Sequence, residues 1–324
     1  MLLVVTPSLR NTATAHTIRG SLGGRLVAEF NGVAPHVPQE AVDAARALAR
    51  EKRADVVVSV GGGSAIGVGK GIALEAIPLI AIPTTYSGSE MTPVVGITDR
   101  NEGRKRVRRD PAALPRLAIY DPEVTLDLSP QLTASTAMNA LAHCVEACYA
   151  TDASPEVRSV ALDGTRHIVR SLPLCVARGD DLDDREDLMQ GAYLAGLSIG
   201  NATMALHHGL CHVLGGRTGV AHGVLNAIML PHVMRFNADA APDAMSAIAE
   251  AMGAGARTRD ADASARETFA LLESLPVPKR LRDAGVPAEV LEQVAGEAAE
   301  SPTVKANPKP VSEADLLELL RAAW

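Results

Sequence analysis

Short runs of apolar, mostly β-branched residues recur at 2–5, 25–30, 55–60, 77–82 and 117–120, and each predicts a strand. Between them, 39–52 carries apolar residues at helical spacing, and a helix follows the glycines at 61–63 and runs through Lys70. Strands that are apolar at nearly every position are buried on both faces, and their alternation with helices predicts a parallel sheet covered on both sides. The run 92–99, the turn residues Asn101-Glu102-Gly103 and the basic run 104–108 together predict a hairpin ahead of the last strand.

Beyond Leu128 the pattern changes. Ser129-Pro130 opens a helix, and almost everything after it has helical period broken only by Pro and Gly. The expected fold class is an α/β N-terminal Rossmann-like domain, residues 1–128, plus an all-α C-terminal domain, residues 129–324. Asp180-Asp181-Leu182-Asp183-Asp184 is expected to be a solvated helix start with no chemistry of its own.

At 324 residues a two-domain chain is the natural division. With only 2% aromatic residues, the core is built from Ala, Val, Leu and Ile, which suits close helix packing better than a β-sandwich. A net charge of -7 argues against nucleic acid as a partner, which needs concentrated positive surface. Four cysteines without a CxxC spacing make no disulfide framework, so they are expected to be buried small hydrophobes in a reducing cytoplasm; Cys144 and Cys148 flank the His143 face of their helix. The apolar opening ends at Thr6-Pro7, so it is expected to be a strand rather than a signal peptide or membrane span.

Two turns carry candidate chemistry. Val56-Val57-Val58-Ser59-Val60 runs into Gly61-Gly62-Gly63-Ser64 and then a helix, where glycines let backbone N–H groups approach a phosphate and the helix N-terminus adds partial positive charge. The spacing is neither GxGxxG nor a P-loop. Pro83-Thr84-Thr85-Tyr86-Ser87-Gly88-Ser89-Glu90 follows another apolar strand, at the strand end where open α/β sheets bind ligands. In the helical half, Asn139, His143 and Glu146 share one helix face, and His208 and His212 are again one turn apart. Gly215-Gly216 is expected to end that second helix, and His222-Gly223 to start the next. His207, His208, His212, His222 and His232 lie close in sequence, a density that points to a metal or catalytic site.

These motifs occur in the order and spacing of the iron-containing alcohol dehydrogenases, which the chain resembles over nearly its whole length. The resemblance implies a dehydroquinate synthase-like architecture, with a nucleotide-binding domain followed by a helical domain for metal and substrate, and a homodimer. Gly61, Gly62, Gly63, Ser64, Thr84, Thr85, Ser89, Thr92 and Lys105 then correspond to contacts for NADH or NADPH. His143, His208 and His222 correspond to the family's metal-binding histidines, with Asn139 in the place of the remaining ligand, while the density of histidines makes His143, His208, His212 and His222 the expected catalytic residues. The family's fourth ligand is an aspartate, whereas this chain has Asn139; typical alcohol dehydrogenases also have an aspartate where this chain has Gly67.

Both departures resemble the maleylacetate reductase branch. So do the string from Gly61 to Lys70, the run from Pro83 to Pro93, Gly103-Arg104-Lys105 with Arg108-Arg109-Asp110-Pro111, and Ala306-Asn307-Pro308-Lys309-Pro310-Val311. Members of that branch reduce maleylacetate to 3-oxoadipate in aromatic-ring degradation, so the expected partner is a small dicarboxylate, with no nucleic acid or membrane. Arg108, Arg109 and Arg217 are candidate carboxylate binders. With a neutral amide in place of a carboxylate, Fe2+ or Zn2+ is admitted but not expected to be required. The alternatives are a metal-dependent alcohol or aldehyde dehydrogenase and, on the same architecture, a non-redox lyase or binding protein. Pro7 stands where an acidic residue would select NADH, leaving NADH and NADPH both open. Relatives are expected to carry a further hairpin and helix ahead of Leu2.

Overall fold

The computed structural model describes residues 1–99, 104–255, 260 and 262–324, and of residues 104 and 105 the backbone alone. The chain divides into two compact units, Met1–Asp127 and Leu128–Trp324.

In the first unit the elements are β1 (Leu2–Val5), α1 (Ala13–Leu22), β2 (Ala28–Phe30), α2 (Gln39–Glu51), β3 (Val57–Gly61), α3 (Gly63–Ala73), β4 (Leu79–Pro83), β5 (Val94–Asp99), β6 (Arg104–Arg109) and β7 (Leu117–Ala118). Five strands form a parallel sheet in the order β2-β1-β3-β4-β7, and β5 pairs antiparallel with β6. The expected α/β class and the hairpin strands are therefore present; the turn at 100–103 lies outside the described residues. The strand expected at 25–30 is shorter, because Gly23–Arg25 is taken by a 3-10 turn.

Side chains of the central strands alternate between two cores. Leu2, Val4 and Val57 pack with Val42, Ala45, Ala65, Val68 and Ile72 of α2 and α3. Leu3, Val5, Val58 and Val60 pack on the opposite face, where Ile18 and Leu22 of α1 join them. Because α1 and α3 leave to opposite faces, the carboxyl ends of β1 and β3 are the topological switch point, where doubly wound sheets bind ligands.

Helix α3 is buried along most of its length, from Ala65 to Ala73. Three of its interior positions are glycines at very close approach. A Cβ at Gly67 would lie 2.5 Å from Val37 Cγ2, one at Gly71 would lie 2.6 Å from Val42 Cγ1, and one at Gly69 would collide with Ser59 Oγ. Gly67 is thus explained by packing against Val37, which leaves no room for an aspartate.

The second unit contains α4 (Pro130–Tyr149), α5 (Pro155–Ala177), α6 (Leu182–Gly200), α7 (Leu206–Thr218), α8 (His222–Asn237), α9 (Pro242–Ala251), α10 (Ala263–Ser274), α11 (Leu291–Ala299), α12 (Pro302–Lys305) and α13 (Glu313–Ala323), with no strand among the described residues. Ser129 caps α4 through Leu132 N–H, and Asp181 caps α6 through Asp184 N–H, as the acidic run suggests. Helix α7 passes through Gly215 and Gly216, contrary to expectation, and stops at Gly219, whose φ of 70° supplies the left-handed C-cap. All four cysteines are free and buried. No helix among the described residues is long and apolar enough to cross a membrane.

Candidate active site

The glycine turn stands at the switch point. Gly61 has a φ of +148°, and a Cβ there would lie 2.8 Å from Ala65 Cβ and 2.9 Å from Thr6 Cβ, so the position needs glycine for both reasons. At Gly62 a Cβ would meet Thr85 Cγ2 at 2.9 Å, whereas at Gly63 the nearest atom would be Ser87 Oγ at an ordinary 3.6 Å. The two polar turns predicted from sequence are therefore in contact, with the one after β4 lying against the one after β3. Gly62 is the N-cap of α3 and no side chain caps the helix. Thr85 Oγ1 is buried beside it without a hydrogen-bond partner. An uncapped helix N-terminus with an orphaned hydroxyl at its side fits a phosphate group.

Thr84 N–H donates to Gly61 O at 3.1 Å, which locks the two turns together. Thr92 faces elsewhere: its carbonyl and hydroxyl both accept from Lys70 Nζ, at 2.7 and 3.1 Å. Ser89 O accepts from Thr92 N–H at 3.3 Å, so Ser89 supports that same bend. Burial pushes the Lys70 ammonium down to about 7, with Glu90 opposing the shift. The Lys105 side chain lies outside the described residues.

In the helical unit, α4, α7 and the start of α8 bring four of the expected histidines together. The His143 and His208 rings stack at 4.7 Å between centroids, those of His212 and His222 stack at 5.0 Å, and His208 lies 5.8 Å from His222 and 6.2 Å from His212. His143 and His208 are buried, His222 is half-buried and His212 is exposed. Burial, followed by neighbouring histidines, pushes His143 and His208 well below the usual imidazole range, so both are neutral at neutral pH. Asn139, one turn before His143, accepts through Oδ1 from Asn226 Nδ2.

Three further residues belong to this site: Glu146 and His207, which the shared helix face and the histidine density single out without an individual role, and Asn226, which the sequence reading misses. Glu146 Oε1 accepts from Ala205 N–H and His207 N–H, both at 3.0 Å, and Oε2 is in hydrogen-bond contact with His208 Nδ1. His207 Nε2 lies 3.1 Å from Asn226 O. Their spacing held the signal: Glu146 is on the Asn139 and His143 face, and Asn226 is one turn after His222. Donor atoms of Glu146, His207 and His208 lie within 4.8 Å of one another. The carboxylate oxygens are already bound to N–H groups, so this trio is a support for the site rather than a coordination sphere.

His232 does not join the cluster; its ring packs edge-on against Phe269 at 5.0 Å, and burial pushes it down to about 4. Two of the candidate carboxylate binders already hold carboxylates of their own, Arg217 with Glu297 and Arg108 with Asp110. Arg109 closes β6 at the base of the hairpin, opposite Val94.

The sequence description of the iron-containing alcohol dehydrogenases matches residues 1–122, and that of the family's C-terminal part matches residues 133–324. The chain belongs to the iron-containing alcohol dehydrogenase family. It is 40% identical over 324 residues to a maleylacetate reductase of Burkholderia cepacia, covering all of this chain and 88% of that one. The solved maleylacetate reductase of Agrobacterium tumefaciens superposes with a TM-score of 0.90 at 35% identity, covering 100% of this chain and 89% of the other. Sulfoacetaldehyde reductase of Bifidobacterium kashiwanohense, solved in complex with NAD+, superposes with a TM-score of 0.91 at 25% identity over 99% of this chain and 90% of that one. This member of the iron-containing alcohol dehydrogenases is accordingly an oxidoreductase that works with a nicotinamide dinucleotide.

The histidine cluster passes a fit test for the family's metal. His143 Nδ1 and His208 Nε2 are buried with no hydrogen-bond partner, and a neutral imidazole lone pair is a good donor to a divalent cation. His143, His208 and His222 would hold such an ion, with Asn139 adding only a neutral oxygen.

Proposed function

We propose that the protein is a maleylacetate reductase, which saturates the activated double bond of maleylacetate to give 3-oxoadipate with NADH or NADPH. The observation that carries the substrate is the 40% identity over 324 residues to a maleylacetate reductase. The bound dinucleotide supplies a hydride to the double bond, leaving an enolate on the substrate.

The chain's own residues divide the remaining work. The N–H groups of Gly63 and Ser64 at the start of α3 hold the diphosphate, with Thr84 and Thr85 beside them. His212 and His222, the reachable pair, hold the enolate oxygen and return the proton to carbon. His208 is unsuited to that step, because its Nδ1 is engaged by Glu146 and burial keeps the ring neutral. One hydride and one proton enter per substrate, so the reaction balances.

An iron or zinc ion at the histidines would supply polarisation of the substrate carbonyl. A conjugated ketone needs this less than an isolated one, since hydride arrives at carbon and hydrogen-bond donors can stabilise the enolate. Asn139 lowers the charge of the donor set, and its oxygen is already engaged by Asn226. Activity toward maleylacetate is therefore expected to survive chelators. Asn139→Asp is expected to raise zinc affinity, measured by calorimetry, by roughly tenfold or more, because a charged ligand interacts more strongly at low dielectric.

The direct test is NADH oxidation by purified protein supplied with maleylacetate, with 3-oxoadipate identified as the product and simple alcohols giving little turnover. The orphaned nitrogens of His143 and His208 favour a second reading, a metal-dependent alcohol or aldehyde dehydrogenase. Turnover of simple alcohols or aldehydes that is lost to chelator and regained on adding the ion back, with little turnover of maleylacetate, decides for that second reading; the same metal dependence with maleylacetate as substrate means that Asn139 ligates the ion through its oxygen.

A further inference from the structure

Glu146 is a fully buried carboxylate on α4, far in sequence from the groups it binds on α7. Ala205, the N-cap of α7, offers no side-chain oxygen, so the first N–H groups of that helix need an acceptor from elsewhere. Glu146 Oε1 accepts two of them, from Ala205 and His207, and the negative charge sits at the positive end of the helix dipole. Its other oxygen is turned to His208 Nδ1. Three nitrogens converge on one fully buried carboxylate, so it has no face open to substrate.

A second acceptor lies near the same nitrogen, since His207 Nδ1 is 3.4 Å from His208 Nδ1. A carboxylate oxygen is a stronger, charge-assisted acceptor than the ring nitrogen of His207, so Glu146 takes the proton. With Nδ1 protonated, a neutral His208 carries its lone pair on Nε2, the buried atom that meets no partner within the protein.

We propose that Glu146 is a positioning residue that fixes His208 in the Nδ1–H tautomer and so presents the Nε2 lone pair to the histidine cluster. The same carboxylate ties that tautomer to the start of α7, so His208 is oriented by the packing of two helices rather than by its own rotamer preference. Metal-binding imidazoles are commonly set in this way by a carboxylate behind them, and removing such a partner lowers activity or metal affinity about 10–100-fold. Only the zinc-affinity part of the test rests on reading the histidines as the family's metal set; the tautomer is read without any ion or substrate.

Glu146→Gln separates the roles of the two oxygens. The amide oxygen can keep both backbone N–H bonds, and its NH2 then faces His208 Nδ1, which can only accept; the ring proton moves to Nε2. The probe is nitrogen NMR of the full-length protein labelled with [15N]histidine, the His208 signal being assigned by its loss in His208→Ala. Wild type is expected to show Nδ1 protonated and Nε2 bare, and Glu146→Gln the reverse. With that reversal, affinity for zinc, measured by calorimetry, is expected to fall about 10–100-fold while the melting temperature of the metal-free protein stays close to wild type. Nε2 protonated in the wild type, or Nδ1 still protonated in Glu146→Gln, overturns the proposal. If the variant does not fold, the wild-type tautomer alone decides, with a carboxylate-bonded Nδ1 proton for the proposal and its absence against.

Discussion

Gly63→Val is expected to abolish NADH binding while leaving the protein folded. A Cβ at this position meets only Ser87 Oγ, at an ordinary contact distance of 3.6 Å, so the native packing does not require glycine there. Valine in the first turn of α3 should change stability by less than about 1 kcal/mol. What the side chain does fill is the space over the uncapped N-terminus of the helix, where a phosphate must come within hydrogen-bond reach of the N–H groups. Gly61→Ala is the informative contrast: its φ of +148° and the contacts below 3 Å make it costly to the fold itself, by about 1–3 kcal/mol. Calorimetric titration with NADH, paired with a thermal melt, reads both quantities. Wild-type affinity in Gly63→Val would mean that the diphosphate binds somewhere else.

The second large effect is expected at the reachable histidines. His212→Ala and His222→Phe should each lower kcat with maleylacetate by roughly 10²-fold or more, the usual scale for removing a positioned acid or base. Their rings stack at 5.0 Å, so each also steadies the other, and the two losses should not add in the double variant. The buried pair His143 and His208 is neutral at neutral pH and so has no imidazolium proton to give. Steady-state kinetics of the two single variants and the double variant, with NADH binding measured separately, checks the assignment. Full turnover in both single variants would place proton delivery on another group.

The sheet is legible in the sequence because its strands are buried on both faces, so β1, β3 and β4 stand out as unbroken apolar runs. Helix α1 is not, since only Ala15 among its residues is buried and its solvent face hides the helical period. The histidines announce themselves by helical spacing, which is local. Glu146 and Asn226 share that spacing but act across the docking of α4 with α7 and α8, and no local pattern says what a buried carboxylate will face. Arg217 shows the converse: its charge is plain in the sequence, but Glu297, which takes it, comes from the distant α11. Gly67 shows it again, because a residue that looks like a specificity difference is fixed by Val37 pressing on the helix backbone.

The glycines inside α3 also bear on the order in which this unit folds. Gly67, Gly69 and Gly71 each weaken an isolated helix by about 1 kcal/mol relative to alanine, so α3 has little tendency to form by itself. It becomes stable only once Ser59 of β3, Val42 of α2 and Val37 are in place to meet its bare backbone. The glycine turn that opens α3 is therefore expected to take shape only once the sheet and α2 have packed around it, so a variant that loosens that packing should lose the turn before it loses the sheet.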